Sequence, residues 1–312
     1  MADAIVATAF GGPEVLELVE VGVPAPGPGE ATVAIRAAAV NPVDHKMFGG
    51  LFGSEVSRLP MRVGLEGAGV VTAVGDGASV AVGDEVIVHG GGAAGLYASE
   101  VTVPDAALVA KPAALGWEQA SGLLLAGGTA EHTLVATGVA DGDVVLVHGV
   151  AGAVGLAAAQ LAILRGARVI GTAAPARHEA LRGYGIEPVA YGEGLADRVR
   201  AAAPDDLSAA VDTIGTDEAV DVSLALVADR DRIATIAAFG RAADAGITLL
   251  GAGPGADPGT ALRAAAGPEL ARLAADGSLQ VLVARTFPLA GAADAVRFVQ
   301  QGHAGGKVVL LP

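Results

Sequence analysis

Cysteine is absent from this chain of 312 residues, and with it go disulfides, thiolate nucleophiles and every thiolate zinc site. Aromatic residues make up only 3%, so a core has to be assembled from small aliphatic side chains at close range. The apolar fraction of 52% and a mean hydropathy of +0.54 are ample for such a core and argue against disorder. Basic residues are outnumbered 19 to 34, a formal net charge of -15, and they form no cluster. A nucleic acid backbone or an anionic membrane would be repelled. No uninterrupted run of 18 apolar residues occurs, and the opening "MADAIVATAF" has neither the basic start nor the cleavage pattern of a signal peptide. These absences predict a soluble cytoplasmic protein.

Six histidines are present, at 45, 89, 132, 148, 178 and 303, and none forms an HExxH pair. The segment "HEALR" at His178 reads as an exposed helical stretch.

The pattern along the chain changes twice. Residues 1–121 read as short strands punctuated by glycine and proline, as in "ATVAIRAAAV", "GAGVVTAVG", "GDEVIVHG" and "ASEVTVP", which predicts antiparallel, barrel-like β structure. Residues 122–254 alternate apolar runs with helical segments: "VVLVHG", "GAVGLAAAQLAILRG", "RVIGTA", "ARHEALRGYG", "AAVDTIG", "RIATIAAFG", "ITLLGAG". That alternation predicts βαβ units around a doubly wound parallel sheet. Residues 255–312 read as helix, strand, helix and strand. The fold class is therefore α/β, in three successive stretches.

The stretch "VVLVHGVAGAVGLAAAQLAILRG" at 144–166 is where a dinucleotide would sit. In a βαβ dinucleotide site three glycines give a tight turn, close backbone approach to a pyrophosphate, and close packing of helix on strand. Here Val150 stands in the first position and Gly152 and Gly155 in the others, with Gly149 available for the turn. A strand before, a helix after and "RVIGTA" one helix later raise this degenerate motif above chance. At the end of that next strand an acidic residue would take a ribose hydroxyl. This chain has Thr172, Ala173, Ala174 and then Arg177, which favours the 2'-phosphate of NADP.

The motifs "NPVD" at 41–44, "GLEGAGVV" at 64–71, "VGDEV" at 82–86, "YASE" at 97–100 and "GTA" at 128–130 are followed by "VLVHGVAGAVG", "VDTIG" and "RTFPL...GHAGGKVVL". In that order they resemble the medium-chain dehydrogenase/reductase superfamily, specifically its zinc-free quinone oxidoreductase branch. The resemblance implies a GroES-like catalytic domain made of 1–121 and 255–312 and an inserted Rossmann domain at 122–254, which together bind NADPH. Zinc alcohol dehydrogenases of the superfamily have a Cys where this chain has Asn41 and a His where it has Leu65, so no metal site is expected. His45 and Glu66 are near the vacated positions but lack a third ligand.

Matching positions assign further roles. Gly152, Ala153 and Val154 would offer backbone N–H groups to the pyrophosphate. Thr129, Ile214, Ala237, Ala238 and Phe239 would line the nicotinamide and its ribose, with Thr172, Arg177 and Tyr191 toward the adenosine side. Two roles are open to Asn41, the only asparagine: a hydrogen bond to substrate or nicotinamide ribose, or a turn before Pro42. Asp44 is the other catalytic candidate, in a proton relay or a structural ion pair with Lys46. The chain departs from its relatives at Phe52, where many have a tyrosine, and at Gly305, where an arginine is common.

Without a Lewis acid, hydride delivery to an acceptor that is already electron-poor is favoured over alcohol oxidation. The leading reading is NADPH-dependent reduction of a quinone or an α,β-unsaturated carbonyl. A reductase dedicated to one biosynthetic intermediate and an NADP-binding protein with little turnover are the alternatives. The apolar "GITLLGAG", lacking charge, predicts a sheet edge that pairs with its twin in a homodimer centred on 247–250.

Overall fold

Residues 1–89, 95–203, 207–302 and 304–312 are described by a computed structural model. The chain divides into two units, Met1–Leu125 with Gly267–Pro312, and Ala126–Ala266.

The first unit begins with β1 (Ala2–Ala7), β2 (Leu16–Val21), β3 (Glu30–Val40), α1 (Pro42–Phe48), β4 (Met61–Arg62) and β5 (Glu66–Val74). It continues with β6 (Glu85–His89), β7 (Glu100–Pro104), β8 (Leu108–Ala110) and α2 (Trp117–Ser121). Strand β3 is the hub, pairing antiparallel with both β5 and β7. Alanine and glycine dominate where β3 meets β5, at Ala37 opposite Ala68 and Ala38 opposite Gly67, so the scarcity of aromatics is matched by closely apposed backbones.

Helix α3 (Leu124–Ala136) leads into the second unit, which carries β9 (Val144–His148), α4 (Ala153–Leu164), β10 (Arg168–Thr172), α5 (His178–Arg182), β11 (Glu187–Val189), α6 (Leu195–Ala202) and β12 (Ala209–Asp212). After these come α7 (Asp217–Leu226), β13 (Ile233–Thr235), α8 (Ala242–Ala245) and β14 (Thr248–Leu249). The six strands form one parallel sheet in the order β11-β10-β9-β12-β13-β14, a doubly wound arrangement. Central strands of such a sheet are covered on both faces and read as continuous apolar runs, as "VVLVH" does. Its core includes Leu146, Ile170, Val199, Ala210, Val220 and Ile233.

Helix α9 (Thr260–Ala275) leads back to the first unit, which closes with β15 (Val283–Pro288), α10 (Ala292–Gln300) and β16 (Lys307–Leu311). Strand β16 pairs antiparallel with β3 and parallel with β15, so the seven-stranded sheet takes strands from both stretches of chain. Ile5, Val33, Phe48, Val88, Leu96, Tyr97, Val296 and Leu310 share one core.

The expected pairing segment 247–250 reaches the edge of the parallel sheet only in part. Ile247 and Leu250 are buried in the unit itself, and the outer groups Leu249 O and Gly251 N–H are hydrogen-bonded to the Asp257 backbone. Of the four residues, Thr248 and Leu249 are half-buried and are the ones whose side chains the edge offers. Among the described residues no helix is long and apolar enough to cross a membrane.

Candidate functional site

In a doubly wound sheet the ligand crevice lies beyond the carboxyl ends of the strands where their order reverses, here between β9 and β12. Gly149 follows β9 with φ of +75°, a conformation that only glycine adopts without strain, and it supplies the turn that the motif's first position lacks. Val150 points inward and is fully buried, and Gly171 on β10 makes room for it: a Cβ there would meet Val150 Cγ1 at 2.5 Å. The valine thus leaves the crevice side of the turn clear. A Cβ on Gly155 would lie 2.4 Å from Gly149 O, so the third glycine brings helix and turn together.

Gly152 is the N-cap of α4, and its own N–H is spent on Gly149 O at 2.9 Å. The N–H groups at the start of α4 without an intrahelical partner are therefore those of Ala153, Val154 and Gly155, and that of Gly152 is turned into the loop instead. Thr172 lies behind the same turn. It is buried, its hydroxyl accepts the Gly149 N–H at 3.0 Å and its carbonyl the Val150 N–H at 3.1 Å, so it shapes the turn from behind.

The other side of the crevice is built by two residues that the sequence reading passed over. Buried Asp212, at the end of β12, accepts the Ile214 and Gly215 N–H groups at 2.9 Å through Oδ1 and the Thr235 hydroxyl at 2.7 Å through Oδ2. Thr235 in turn accepts from Ala237 N at 3.1 Å and Ala238 N at 3.0 Å. One carboxylate thereby fixes the loops carrying Ile214, Ala237, Ala238 and Phe239. The motif "VDTIG" contained the signal, an acid two residues before a donor pair.

Ile214 is exposed, as are Arg177 after β10 and Tyr191 after β11. Thr129 on α3 is buried and accepts from Arg263 Nη1 at 3.2 Å. Arg263 Nε also donates to His132 Nδ1 at 3.2 Å, which requires a neutral imidazole whose Nε2–H faces Asp257 Oδ2 at 3.1 Å. His148 is buried beside Asp212, and burial pushes its pKa down to about 4 against the pull of Asp212 and Glu218.

The first unit holds a second polar cluster. Asn41 caps α1, and Asp44 reaches back to the Asn41 N–H at 2.7 Å. Asn41 Nδ2 donates to Glu66 Oε1 at 3.0 Å and to Ala39 O at 3.3 Å, and Asn41 Oδ1 accepts from Lys307 Nζ at 2.5 Å. Lys307 also donates to Glu66 Oε1 at 2.6 Å, and the Leu125 N–H bonds Glu66 Oε2 at 2.8 Å. All of these side chains are buried. Both amide hydrogens of Asn41 are committed inside the protein, so the turn role is the one its geometry displays. The ion pair or relay expected between Asp44 and Lys46 is replaced by a bond from the Tyr97 hydroxyl to Asp44 Oδ2 at 2.6 Å. Phe52 lies half-buried in the turn after α1 and Gly305 has φ of +70°. His303 lies outside the described residues.

This donor set does not fit zinc. Where the superfamily's metal would sit, the chain offers an amide, Leu65 and a carboxylate already paired with an ammonium group. Among the described residues no three His, Cys, Asp or Glu side chains form a metal-holding group.

The chain matches the family described as "Alcohol dehydrogenase GroES-like domain" over residues 27–140 and that described as "Zinc-binding dehydrogenase" over 184–310. It is 33% identical to the quinone oxidoreductase of Pseudomonas aeruginosa across the full length of both. It is 37% identical to the human synaptic vesicle membrane protein VAT-1 homolog over 218 residues, 68% of this chain and only 55% of that protein, so the match spans about half the length of this relative. The Escherichia coli quinone oxidoreductase complexed with NADPH superposes with a TM-score of 0.87 at 26% identity, covering 99% of this chain and all of that one. Fold, motif order and relatives together define a medium-chain dehydrogenase/reductase. Within that superfamily the chain belongs to the quinone oxidoreductase family.

Proposed function

We propose that the protein transfers hydride from NADPH to a quinone or an α,β-unsaturated carbonyl, without zinc. The observation that carries this reading is the cluster of Asn41, Glu66 and Lys307 in the first unit, where an ammonium group is bonded in place of a Lewis acid; the turn of the second unit, by itself, fits a dinucleotide. When bound, NADPH supplies the hydride, and conjugation in the acceptor carries the incoming electron pair onto an oxygen.

The residues divide the remaining work. The Ala153 and Val154 N–H groups at the start of α4 face the pyrophosphate, on the turn shaped by Gly149, Gly152 and Thr172. Arg177 and Tyr191 take the adenosine 2'-phosphate. Thr129, Ile214, Ala237, Ala238 and Phe239 surround the nicotinamide end, held by Arg263 and by Asp212 through Thr235. Asn41, locked between Glu66 and Lys307, keeps the start of α1 and its Asp44 in place.

Steady-state turnover of a panel of quinones, enones and enoyl thioesters with NADPH, in the presence of a chelator, tests the reading. Quinone or enone turnover unaffected by the chelator is expected. Turnover of enoyl thioesters alone would favour a biosynthetic reductase, and tight NADPH binding without any turnover would end the enzymatic reading. We further propose a cytoplasmic homodimer in which Thr248 and Leu249 form the contact.

A further inference from the structure

Asp44 is buried and its two carboxyl oxygens are treated differently. Oδ2 accepts from the Tyr97 hydroxyl at 2.6 Å and from the Asn41 N–H at 2.7 Å, whereas Oδ1, equally enclosed, has no partner. A buried polar atom left bare is costly and in a native protein points to a ligand or a water. Asp44 also lines a small recess whose remaining wall is Met47, Met61, Arg62, Val63, Gly64 and Leu65. Those neighbours are mainly apolar, and Arg62 turns one guanidinium nitrogen to Gly95 O at 3.2 Å. When such a carboxyl group is protonated the proton belongs on Oδ1, because a proton on Oδ2 would meet two donors head-on.

We propose that Asp44 is the proton source of the reaction, holding a water molecule in this recess through its Oδ1–H and passing the proton by way of that water. This rests on the hydride-transfer reading above. As hydride adds to the acceptor, the acceptor's π pair moves to its oxygen. One O–H bond of the water breaks as that oxygen gains a proton, and the Asp44 O–H bond breaks to restore the water. Asp44 is left as a carboxylate and regains a proton from solvent. It thereby answers the loss of a phenol at Phe52. Tyr97 is a positioning residue: it occupies Oδ2 and leaves Oδ1 to carry the proton.

The electrostatics agree. Burial raises Asp44 from the ordinary aspartate range to about 7 against the lowering effect of the Tyr97 and Asn41 bonds. Of the buried charges facing it, Glu66 on β5 raises the value and Lys307 on β16 lowers it, and these two are bonded to each other. His45 and Lys46 flank Asp44 on α1, and burial lowers the pKa of both.

The test is the pH dependence of kcat with saturating NADPH and one quinone or enone. The unaltered enzyme should lose rate above about pH 7, approaching tenfold per pH unit. Asp44→Asn should lower kcat at least about tenfold, abolish that limb and leave NADPH affinity within about twofold. Tyr97→Phe removes a bond that favours the carboxylate, so the limb should move to higher pH. A purely structural role for Tyr97 would lower kcat at every pH without moving the limb. An unchanged profile in Asp44→Asn, or an unshifted or lowered limb in Tyr97→Phe, overturns the proposal; should Asp44→Asn not fold, the Tyr97→Phe shift decides. If no acceptor turns over, the hydride-transfer reading fails by itself. The Asp44 proton is then read from the carboxylic C=O infrared band, which should vanish on raising the pH through neutrality and be missing in Asp44→Asn. Absence of that band from the unaltered protein at acidic pH would refute the proton assignment.

Discussion

Arg177 is exposed on the turn after β10 and forms none of the ion pairs seen among the described arginines, so it is available to an incoming phosphate. A charge-assisted contact to a 2'-phosphate is worth about 1.5–3 kcal/mol. Arg177→Ala should therefore weaken NADPH by roughly ten- to a hundredfold and leave NADH nearly unchanged, as read by fluorescence titration with each cofactor. Equal losses would mean that the residue does not touch the phosphate. His148 makes a prediction of the opposite kind, about folding. Its folded-state pKa lies near 4, below that of an unfolded histidine, so the unfolded chain takes up the proton first. The stability of the neutral, buried ring is present above pH 6.5 and is lost as pH falls from there toward 4. His148→Asn should flatten the fall in melting temperature over that window, and an equally steep fall would remove His148 as its cause. Residues of this kind differ in how readable they are. Arg177 is placed by its distance from a glycine motif, a local quantity. The two charged partners of the Asn41 side chain are 25 and 266 residues away, and no local pattern announces them.

At the scale of elements, the turn between β9 and α4 was legible because its requirements are local: a strand, a glycine in the left-handed region and a helix N-terminus. The identity of Val150 was not, since whether a side chain blocks the crevice or packs inward depends on what stands opposite, and Gly171 is 21 positions along the chain. The same turn supplies the sharpest test of the packing argument. In Gly155→Ala the new methyl would meet the Gly149 carbonyl oxygen and carbon at 2.4 and 2.9 Å, atoms of backbone that cannot rotate away. A loss of about 1–3 kcal/mol in urea unfolding is expected, with NADPH affinity falling as the turn opens. Unchanged stability and affinity would show that helix and turn have slack that these distances deny. Strand β14 shows the converse. Its apolar run reads as a bare edge, but a backbone segment near Asp257 covers part of it, and apolar sequence alone cannot distinguish covering by a neighbour from covering by a twin.

For the molecule as a whole, the change of period from strand to helix alternation revealed two architectures. Their limits are less visible, because the divisions at Leu125/Ala126 and Ala266/Gly267 fall within α3 and α9, where the helix runs on through Gly127-Gly128 and Gly267-Pro268 although such pairs ordinarily mark a break. Assembly is checked by sedimentation: a dimer at micromolar concentration is expected, shifted toward monomer by Leu249→Lys. Monomer mass across that range would dispose of the pairing. A different consequence follows from the bond between Glu66 and Lys307, which joins residues 241 positions apart with the whole of the second unit between them. During synthesis the buried carboxylate is made long before its ammonium partner, whereas every strand of the parallel sheet is made in one uninterrupted stretch. The unit begun second can therefore be the first completed. Until Lys307 arrives, the first unit lacks the ammonium partner of a carboxylate that its finished form buries, so the stretch made first is among the last to be closed.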